Sequence, residues 1–456
     1  MTEPAASLIS YLDASPTPFH AAAESARLLR DAGFVALAEH EPWQLAPGTR
    51  AYVIRADSSL VAFVCGEKQP SEAGFLLIGA HTDSPNLRIK PSPDVSRHGY
   101  RQLAVEAYGG VLLTTWLDRD LSLAGRVSVN DGRGAPRTLL IDLGRPLLRI
   151  PNLAIHLNRN VNSEGLVLNA QAHLAPIIGL ASEDGESLRE LLARELAARG
   201  TPTAPEAILG WDLSLYDVQG ATVSGVNGEF IQSARLDNLA SCFAAVTALA
   251  KSPRGVAATR VIALYDHEEV GSRSAHGAAS PFLRQLLERI TYARRLAPDA
   301  RDPSDDNRSP ALRGGSADDD RDPEAFARAI ARSFLISADM AHAIHPNYAD
   351  RHEPNHAPVL GGGPVLKSNV NQSYATDGLS AARFVQLCQQ AEVPLQHYVV
   401  RSDLPCGSTI GPITAGQIGL ATVDVGNPLL SMHSIREMTG TKDVGHLARV
   451  LERFFS

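Results

Sequence analysis

The sequence predicts an α/β domain that is interrupted by a β-rich insertion. Apolar runs of strand length alternate with helix-forming stretches in both the N-terminal and the C-terminal parts of the chain. Between residues 93 and 232, by contrast, short β-like runs alternate with Gly, Asn and Asp turns, and a single stretch, 184–199, favours helix. We therefore divide the chain into a first α/β part at 1–92, an inserted β-rich domain at 93–232 and a second α/β part at 233–456.

The first α/β part is predicted to begin with helix and to continue as strands. The first 35 residues favour helix, because 21–32 is rich in Ala, Leu, Glu and Arg. Three apolar runs bounded by polar or Gly residues follow as strands, at 52–54, 60–64 and 75–78. In the insertion, strands are predicted at 103–105, 110–115, 123–129, 138–143 and 208–215.

The second α/β part again alternates helix with strand. Helices are predicted at 239–249, 281–295 and 447–455, and strands at 260–265, 334–337, 393–400 and 419–425. The stretch 297–322 is rich in Pro, Asp, Arg, Ser and Gly and poor in large apolar residues, so we predict a mobile surface loop there.

The composition excludes several classes of protein. The chain has 456 residues, of which 44% are apolar and 20% charged, so it can bury a sizeable core. A net charge of −8 with no long basic run argues against nucleic acid or an anionic membrane as a partner. No window approaches the roughly 20 apolar residues of a membrane helix. Four scattered cysteines and an N-terminus without a basic region predict a cytoplasmic protein with no signal peptide.

Side chains suited to catalysis or metal binding recur where the predicted strands end. They are His81 and Asp83 after 75–78, Glu268 and Glu269 after 260–265, Asp339 after 334–337 and His433 after 419–425. Asp237 opens the helix predicted at 239–249. Because ligands bind beyond the carboxyl ends of the strands in open α/β sheets, we expect these side chains to gather in one place.

These residue types indicate divalent metal ions. Imidazole and carboxylate ligands suit zinc, manganese or cobalt, and a ligand set without Cys argues against a structural zinc site. Two histidines and three carboxylates are enough for two ions about 3.5–4 Å apart, with one carboxylate and one water between them. Asp83 is close enough to His81 in sequence to fix the tautomer of its ring. Of Glu268 and Glu269, one can ligate a metal while the other accepts a proton from the water.

Each of these features alone has an ordinary structural explanation. A histidine at a strand end is commonly a hydrogen-bonded loop residue, and paired glutamates are commonly a solvated face. Asp237, followed by Asn238, can be no more than a helix cap. The prediction of a metal site therefore depends on all five candidate ligands occurring together.

Seven segments of the chain resemble the aspartyl aminopeptidase family of dinuclear metallopeptidases. They are GAHTDSPNLRIKP (79–91), SARLDNLAS (233–241), LYDHEEVGSRSAHGA (264–278), SADMAHAIHPNY (337–348), GPVLKSNVNQSYATD (363–377), CGSTIGP (406–412) and VDVGNPLLSMHSIREM (423–438). The resemblance implies a three-layer α/β/α catalytic domain of the zinc-exopeptidase type, with the inserted β-rich domain used in dimerisation. It also implies a homo-oligomer, commonly a tetrahedral dodecamer, that removes single N-terminal residues from peptides, with Asp or Glu preferred by several members.

The same resemblance implies roles for the residues at the strand ends. The metal ligands would be His81, Asp237, Glu269, Asp339 and His433. Asp237 would bridge two ions, for which zinc is favoured and cobalt or manganese are alternatives. Glu268 would be the general base that acts on a water held between the ions.

Four further residues are expected to contact the substrate: His156, His342, His345 and Lys367. His156 resembles a family histidine that reaches the active site of a neighbouring subunit, and its alternative role is a polar residue at a subunit contact. His342 and His345 would touch the substrate or stabilise the tetrahedral oxyanion, or else support the ligands. Lys367 follows three consecutive glycines and would meet an acidic substrate side chain, unless it is a solvated surface lysine.

Other functions are compatible with parts of this pattern. A related dinuclear hydrolase, such as a carboxypeptidase or an N-acyl amino acid deacylase, would use a similar ligand set but would need a cation for the terminal carboxylate of its substrate. A non-catalytic assembly protein would be expected to lack the base or a ligand, and this sequence has them all. A serine hydrolase is not indicated, because no GxSxG motif supports a nucleophile.

Overall fold

The structure is a computed structural model that describes residues 3–181, 185–293 and 322–456. The surface loop predicted at 297–322 lies outside these ranges except for Asp322. Within them, no helix is both long and apolar enough to span a membrane.

The strands in the described ranges are β1 (Val35–Ala36), β2 (Arg50–Arg55), β3 (Ser59–Val64), β4 (Phe75–His81), β5 (Asn86–Arg97), β6 (Tyr100–Tyr108), β7 (Leu121–Val129), β8 (Arg137–Asp142), β9 (Ile177–Leu180), β10 (Ile208–Asp217), β11 (Thr222–Ser224), β12 (Phe230–Ser233), β13 (Thr259–Tyr265), β14 (Phe334–Ala338), β15 (Ala341–His342), β16 (Val365–Lys367), β17 (Gln396–Tyr398), β18 (Ala421–Gly426), β19 (Pro428–Leu430) and β20 (Glu437–Gly440). The α-helices are α1 (Glu3–Asp13), α2 (Pro18–Asp31), α3 (Pro70–Ala73), α4 (Val161–Glu164), α5 (Ala170–His173), α6 (Leu188–Ala198), α7 (Leu236–Ala250), α8 (Phe282–Tyr292), α9 (Ala325–Ala331), α10 (Gly378–Gln390), α11 (Ile410–Ile418) and α12 (Thr441–Phe454).

The largest sheet has nine strands in the order β1-β2-β3-β13-β4-β14-β18-β16-β17. Its central strands are buried on both faces, because successive side chains of a strand point to opposite sides. On β13, Ile262 and Leu264 face the core that is covered by α1, α2, α7, α10 and α12. Val261 and Ala263 face the opposite core, under α8, α9 and α11. The predicted three-layer α/β/α architecture is therefore confirmed.

The register of the central strands brings their carboxyl ends to one edge. The neighbours β13, β4, β14 and β18 run parallel to one another. Tyr265 pairs with His81, and Ala338 pairs with Val425. The chain therefore leaves the sheet at the same level immediately before Asp266 and Asp339, which is the edge where the sequence predicts the site.

A six-stranded antiparallel sheet, in the order β8-β7-β10-β5-β6-β9, accounts for most of the predicted insertion. It has an apolar core of its own, to which α6 contributes four leucines. The boundary predicted at 92/93 falls inside β5, which runs unbroken from Asn86 to Arg97. The strand predicted at 110–115 is wrong: this segment ends in a 3-10 turn at Leu113–Trp116 that buries the Trp116 ring.

A third sheet joins the end of the insertion to the C-terminal part of the chain. Its five strands lie in the order β11-β12-β20-β19-β15, so that β12 pairs with β20. The turn between β19 and β20 carries His433. The helix predicted over the first 35 residues is divided into two, because the chain breaks between α1 and α2 around Pro16 and resumes at Pro18, the first residue of α2.

Candidate metal centre

Asp83, two residues after the end of β4, holds His81 and the Glu268–Glu269 pair close together. His81 is buried, and its Nδ1 lies 3.0 Å from the carbonyl oxygen of Asp83, so that Nε2 faces the centre. The Asp83 carboxylate accepts the backbone N–H groups of Glu268 and Glu269, each at 3.1 Å, and the hydroxyl of Tyr108 at 2.7 Å. One buried carboxylate therefore holds the paired glutamates against the histidine strand.

Asp237 lies between two histidines. Its Oδ1 is 3.5 Å from Nε2 of His81, and its Oδ2 is 3.5 Å from Nε2 of His433. The backbone of Asp237 departs from helical angles although it lies in the first turn of α7. Its carboxylate thus faces the two rings, which is a different arrangement from the helix cap considered as an alternative.

Three more carboxylates complete the cluster. Oδ1 of Asp339 is 3.5 Å from Nε2 of His81, and Oε2 of Glu269 is 3.5 Å from Nε2 of His433. Oε2 of Glu268 is more distant, at 4.0 Å from Nε2 of His81. The side chain of Glu268 is 16% exposed whereas that of Glu269 is 3% exposed, so Glu268 reaches the open side of the centre.

The charges in this cluster are unbalanced in the protein alone. Five carboxylates surround two imidazoles, and most of these groups are buried. Burial raises the pKa of Glu268 to about 8, and the charge of Asp339 adds to the shift against the opposing effect of His81. Burial and the charge of Asp237 raise the pKa of Glu269 in the same way. A buried excess of negative charge is favourable only when positive charge accompanies it.

The donor atoms fit metal ions. Oδ1 of Asp237 and Oε1 of Glu269 are buried and have no hydrogen-bond partner among the described residues. His81, Asp237 and Asp339 offer donor atoms within 4.8 Å of one another, and so do Asp237, Glu269 and His433. Nitrogen and oxygen donors of these types are zinc ligands. The two groups share Asp237.

Glu437 is a residue of this centre that the sequence analysis missed. Its buried carboxylate accepts the backbone N–H of Asp237 at 3.0 Å and that of His433 at 2.8 Å. The two ligand-bearing segments are thereby clamped by a single side chain. The only sequence signal was a Glu four residues after His433, and the sequence does not show that this Glu accepts the N–H of Asp237, which lies 200 residues away.

We expect Glu437→Gln to weaken metal binding about 10- to 100-fold, the range seen when a group that orients a ligand is lost. Glutamine can accept only one of the two N–H groups, and the other is left buried without a partner. Competition with a chelator measures the affinity, with Glu229→Gln, which alters an exposed turn carboxylate, as the control. Unchanged affinity in a folded variant would exclude this positioning role.

The inserted domain also contributes to the centre. The carbonyl oxygen of Gly110 lies 3.0 Å from Nδ1 of His433. Gly109 has φ +72° and lies against Glu269: a Cβ added to it would come within 3.0 Å of the Glu269 Cβ. Both glycines directly follow Tyr108, the partner of Asp83. The end of β6 therefore touches both halves of the ligand set.

The four predicted substrate residues are distributed unevenly. His342 follows Asp339 closely, and its ring centroid lies 5.7 Å from that of Tyr398. His345 turns into its own loop, where its Nδ1 accepts the backbone N–H of Asn347. His156 lies on an exposed turn, Ile155–Leu157, and is not among the side chains that the described residues gather at the centre.

Lys367 is buried and is not a solvated surface lysine. Its Nζ lies 2.8 Å from the carbonyl oxygen of Asp339, 3.1 Å from that of Met340 and 3.4 Å from Oδ2 of Asp339. All three ammonium hydrogens thus have an acceptor. In this arrangement Lys367 holds the Asp339 segment at the edge of the centre.

The chain is similar to known proteins over nearly all of its length. The family described as Aminopeptidase I zinc metalloprotease (M18) matches residues 11–305 and 312–455. A probable M18 family aminopeptidase 2 of Stutzerimonas stutzeri is 51% identical over 451 residues, which cover 98% of this chain and 97% of the relative. A chain of a complex of Ape4 and Nbr1 solved by cryo-EM has a TM-score of 0.89 and 40% identity, covering 99% of this chain and 85% of that one. The mApe1 dodecamer of S. cerevisiae has a TM-score of 0.81 and 29% identity, covering 99% and 96%.

The fold, the cluster of imidazoles and carboxylates and these matches define a zinc metallopeptidase, an enzyme that hydrolyses peptide bonds. The chain belongs to the M18 family of aminopeptidases. The family resemblance drawn from the sequence is confirmed, and with it the prediction of a metal-dependent aminopeptidase.

Proposed function

We propose that this aminopeptidase removes single N-terminal residues from peptides at a centre of two divalent ions, with a preference for Asp or Glu. The observation that carries the proposal is the position of Asp237, whose two oxygens each lie 3.5 Å from a different histidine. A carboxylate between two imidazoles is the arrangement expected of a bridging ligand. We propose zinc as the metal, while cobalt and manganese suit the same donors.

Glu268 is the proposed general base. Divalent ions held by the five ligands would acidify a water and polarise the substrate carbonyl. Glu268 extends to the open side of the centre, and its backbone is fixed by Asp83, so its carboxylate is within reach of a proton there. It takes a proton from the attacking water and returns it to the leaving amine.

A panel of dipeptides with varied first residues tests this proposal. Initial rates are measured before chelation, after chelation and after metal is added back. We expect hydrolysis of dipeptides with a free N-terminus, loss of activity on chelation and recovery with zinc. N-acetylated versions of the same dipeptides should be inert, whereas their hydrolysis would favour a carboxypeptidase or a deacylase.

The proposed acidic preference rests on Lys367. Lys367 is a buried positive charge next to Asp339. Together with burial, its charge lowers the pKa of His342. To bind a substrate carboxylate directly, its ammonium would exchange at least one of its present acceptors for the substrate.

We expect Lys367→Met to lower kcat/KM for substrates with N-terminal Asp or Glu about 10- to 150-fold more than for those with Leu or Ala, because a charge-assisted contact is worth about 1.5–3 kcal/mol. The same panel of dipeptides measures the effect. Lys442→Met, on the first turn of α12, serves as the control. An equal loss on all four substrates would show that Lys367 serves only to hold Asp339.

We also propose that the protein is a homo-oligomer, as the mApe1 dodecamer is. The segment between β8 and β9 exposes four large apolar side chains, each at least 46% accessible: Leu153, Ile155, Leu157 and Val167. An exposed apolar patch of this kind is typical of an interface. His156 lies within it, so a second copy that covers the patch would also contact His156. Light scattering coupled to size-exclusion chromatography tests the assembly.

We propose a cytoplasmic location for this protein, which the sparse cysteines support.

A further inference from the structure

We propose that Asp266, His267 and His276 form an additional binding site for a divalent metal ion, next to the centre described above. Asp266 is buried and is the first residue after β13, and His267 follows it directly. His276 comes from the loop before α8. The donor atoms of the three side chains all lie within 4.8 Å of one another.

The distances favour a metal site over simple hydrogen bonding. Oδ2 of Asp266 lies 3.7 Å from Nε2 of His267 and 3.6 Å from Nε2 of His276. Both separations exceed the roughly 2.7–3.2 Å of a hydrogen bond. Donors bound at about 2.0–2.2 Å in tetrahedral geometry are separated by about 3.3–3.6 Å. The separations around Asp266 therefore resemble those of the donors in the main centre.

Two other polar atoms of the cluster, Oδ1 of Asp266 and Nδ1 of His267, are already engaged, which leaves Oδ2 and Nε2 as the candidate donors of these two residues. Oδ1 of Asp266 accepts the backbone N–H of His267 at 2.8 Å, so that Oδ2 is the oxygen left for the rings. Nδ1 of His267 lies 2.8 Å from Oγ of Ser274. When Nδ1 donates its proton to this hydroxyl, the lone pair lies on Nε2, which is how ligand histidines are commonly oriented.

An ion could reach this cluster from solvent. The side chains of His267 and His276 are 22% and 16% exposed, whereas that of Asp266 is 1% exposed. Two imidazoles and one carboxylate leave room for water ligands, and they suit zinc, cobalt or manganese. The site would differ from the main centre by being partly open and by having one carboxylate in place of several. We therefore expect this cluster to bind a divalent ion more weakly than the main centre does.

Metal stoichiometry tests the inference with zinc alone as the probe. The full chain and its variants are equilibrated with buffered zinc, and bound zinc is counted by plasma mass spectrometry and by calorimetric titration. His276→Gln and His267→Asn each remove one donor, and Asn tolerates the left-handed backbone of His267 (φ +65°). His446→Gln is the matched control, because His446 faces one carboxylate, Asp443, at 3.9 Å.

We expect both cluster variants to bind one equivalent fewer than the wild type, through loss of the weakest class of sites, and the control to bind the same number as the wild type. The comparison is a difference of one equivalent, so it does not depend on how many ions the main centre holds. Equal stoichiometry in the wild type and both cluster variants would overturn the proposal. So would a reduced count in the His446→Gln control alone.

Discussion

Replacing Glu268 by Gln is expected to lower kcat by about 10³-fold or more, because general acid–base catalysis contributes about 10²–10⁴-fold and the amide cannot take a proton from water. The zinc content should not change. Glu268 is the most distant of the carboxylates from the histidines, at 4.0 Å from His81, and the closer donors at 3.5 Å remain in the variant. Steady-state kinetics and a zinc count on the same preparation measure both quantities.

The control for this experiment is Glu288→Gln, which changes a partly exposed glutamate on α8 that pairs with Arg284. It should retain full activity. If Glu268→Gln hydrolyses peptides within about tenfold of the wild-type rate, another group must be the base. Loss of zinc from the variant would instead identify Glu268 as a ligand.

The second large effect is expected from Asp237→Asn. The amide keeps the shape of the carboxylate but offers only one oxygen as a metal ligand. It therefore cannot bind equally well to the ion proposed next to His81 and to the ion proposed next to His433. Breaking a buried charged contact costs about 3–5 kcal/mol, which corresponds to roughly 10²–10⁴-fold in metal affinity. We therefore expect the variant to lose at least one equivalent of zinc and nearly all activity.

Zinc titrations of Asp237→Asn and of Asp120→Asn, an exposed acid that pairs with Arg149 in the inserted domain, provide the comparison. The latter should bind zinc like the wild type. A full zinc complement at unchanged affinity in Asp237→Asn would show that Asp237 does not bridge the ions. Adding excess zinc to Asp237→Asn should restore little activity, because the substitution would alter the arrangement of the two proposed ions as well as their occupancy.

The central sheet and the gathering of the candidate ligands at its edge could be predicted from the sequence for one physical reason. Parallel strands bring their carboxyl ends to one edge, and the polar residues that follow apolar runs must then meet there. His81 and Asp339 illustrate this, since the register of β4 with β13 and β14 fixes their level. The prediction needed only the apolar runs of strand length and the polar residues that directly follow them.

The residues that support the ligands could not be predicted in this way. Glu437 accepts backbone N–H groups, and such contacts depend on the third sheet, which pairs β12 with β20 although Ser233 and its partner Glu437 are far apart in sequence. The burial of Lys367 depends on the pairing of β16 with β18, where Lys367 lies opposite Asp424. The apolar residues that precede Lys367 were a signal of this burial. The segment 110–115 looked like a strand because its apolar residues are used to pack a turn.

The three residues 108–110 have a consequence for the way this enzyme can be divided or recombined. They belong to the strand end of the inserted module, yet Tyr108 holds Asp83 and Gly110 holds the His433 ring. A graft that exchanges the module as a cassette would carry these contacts away with it. A chimera that keeps residues 108–110 of this chain while the rest of the inserted domain is exchanged should retain activity. A chimera in which 108–110 are replaced as well should lose activity, even if both domains fold.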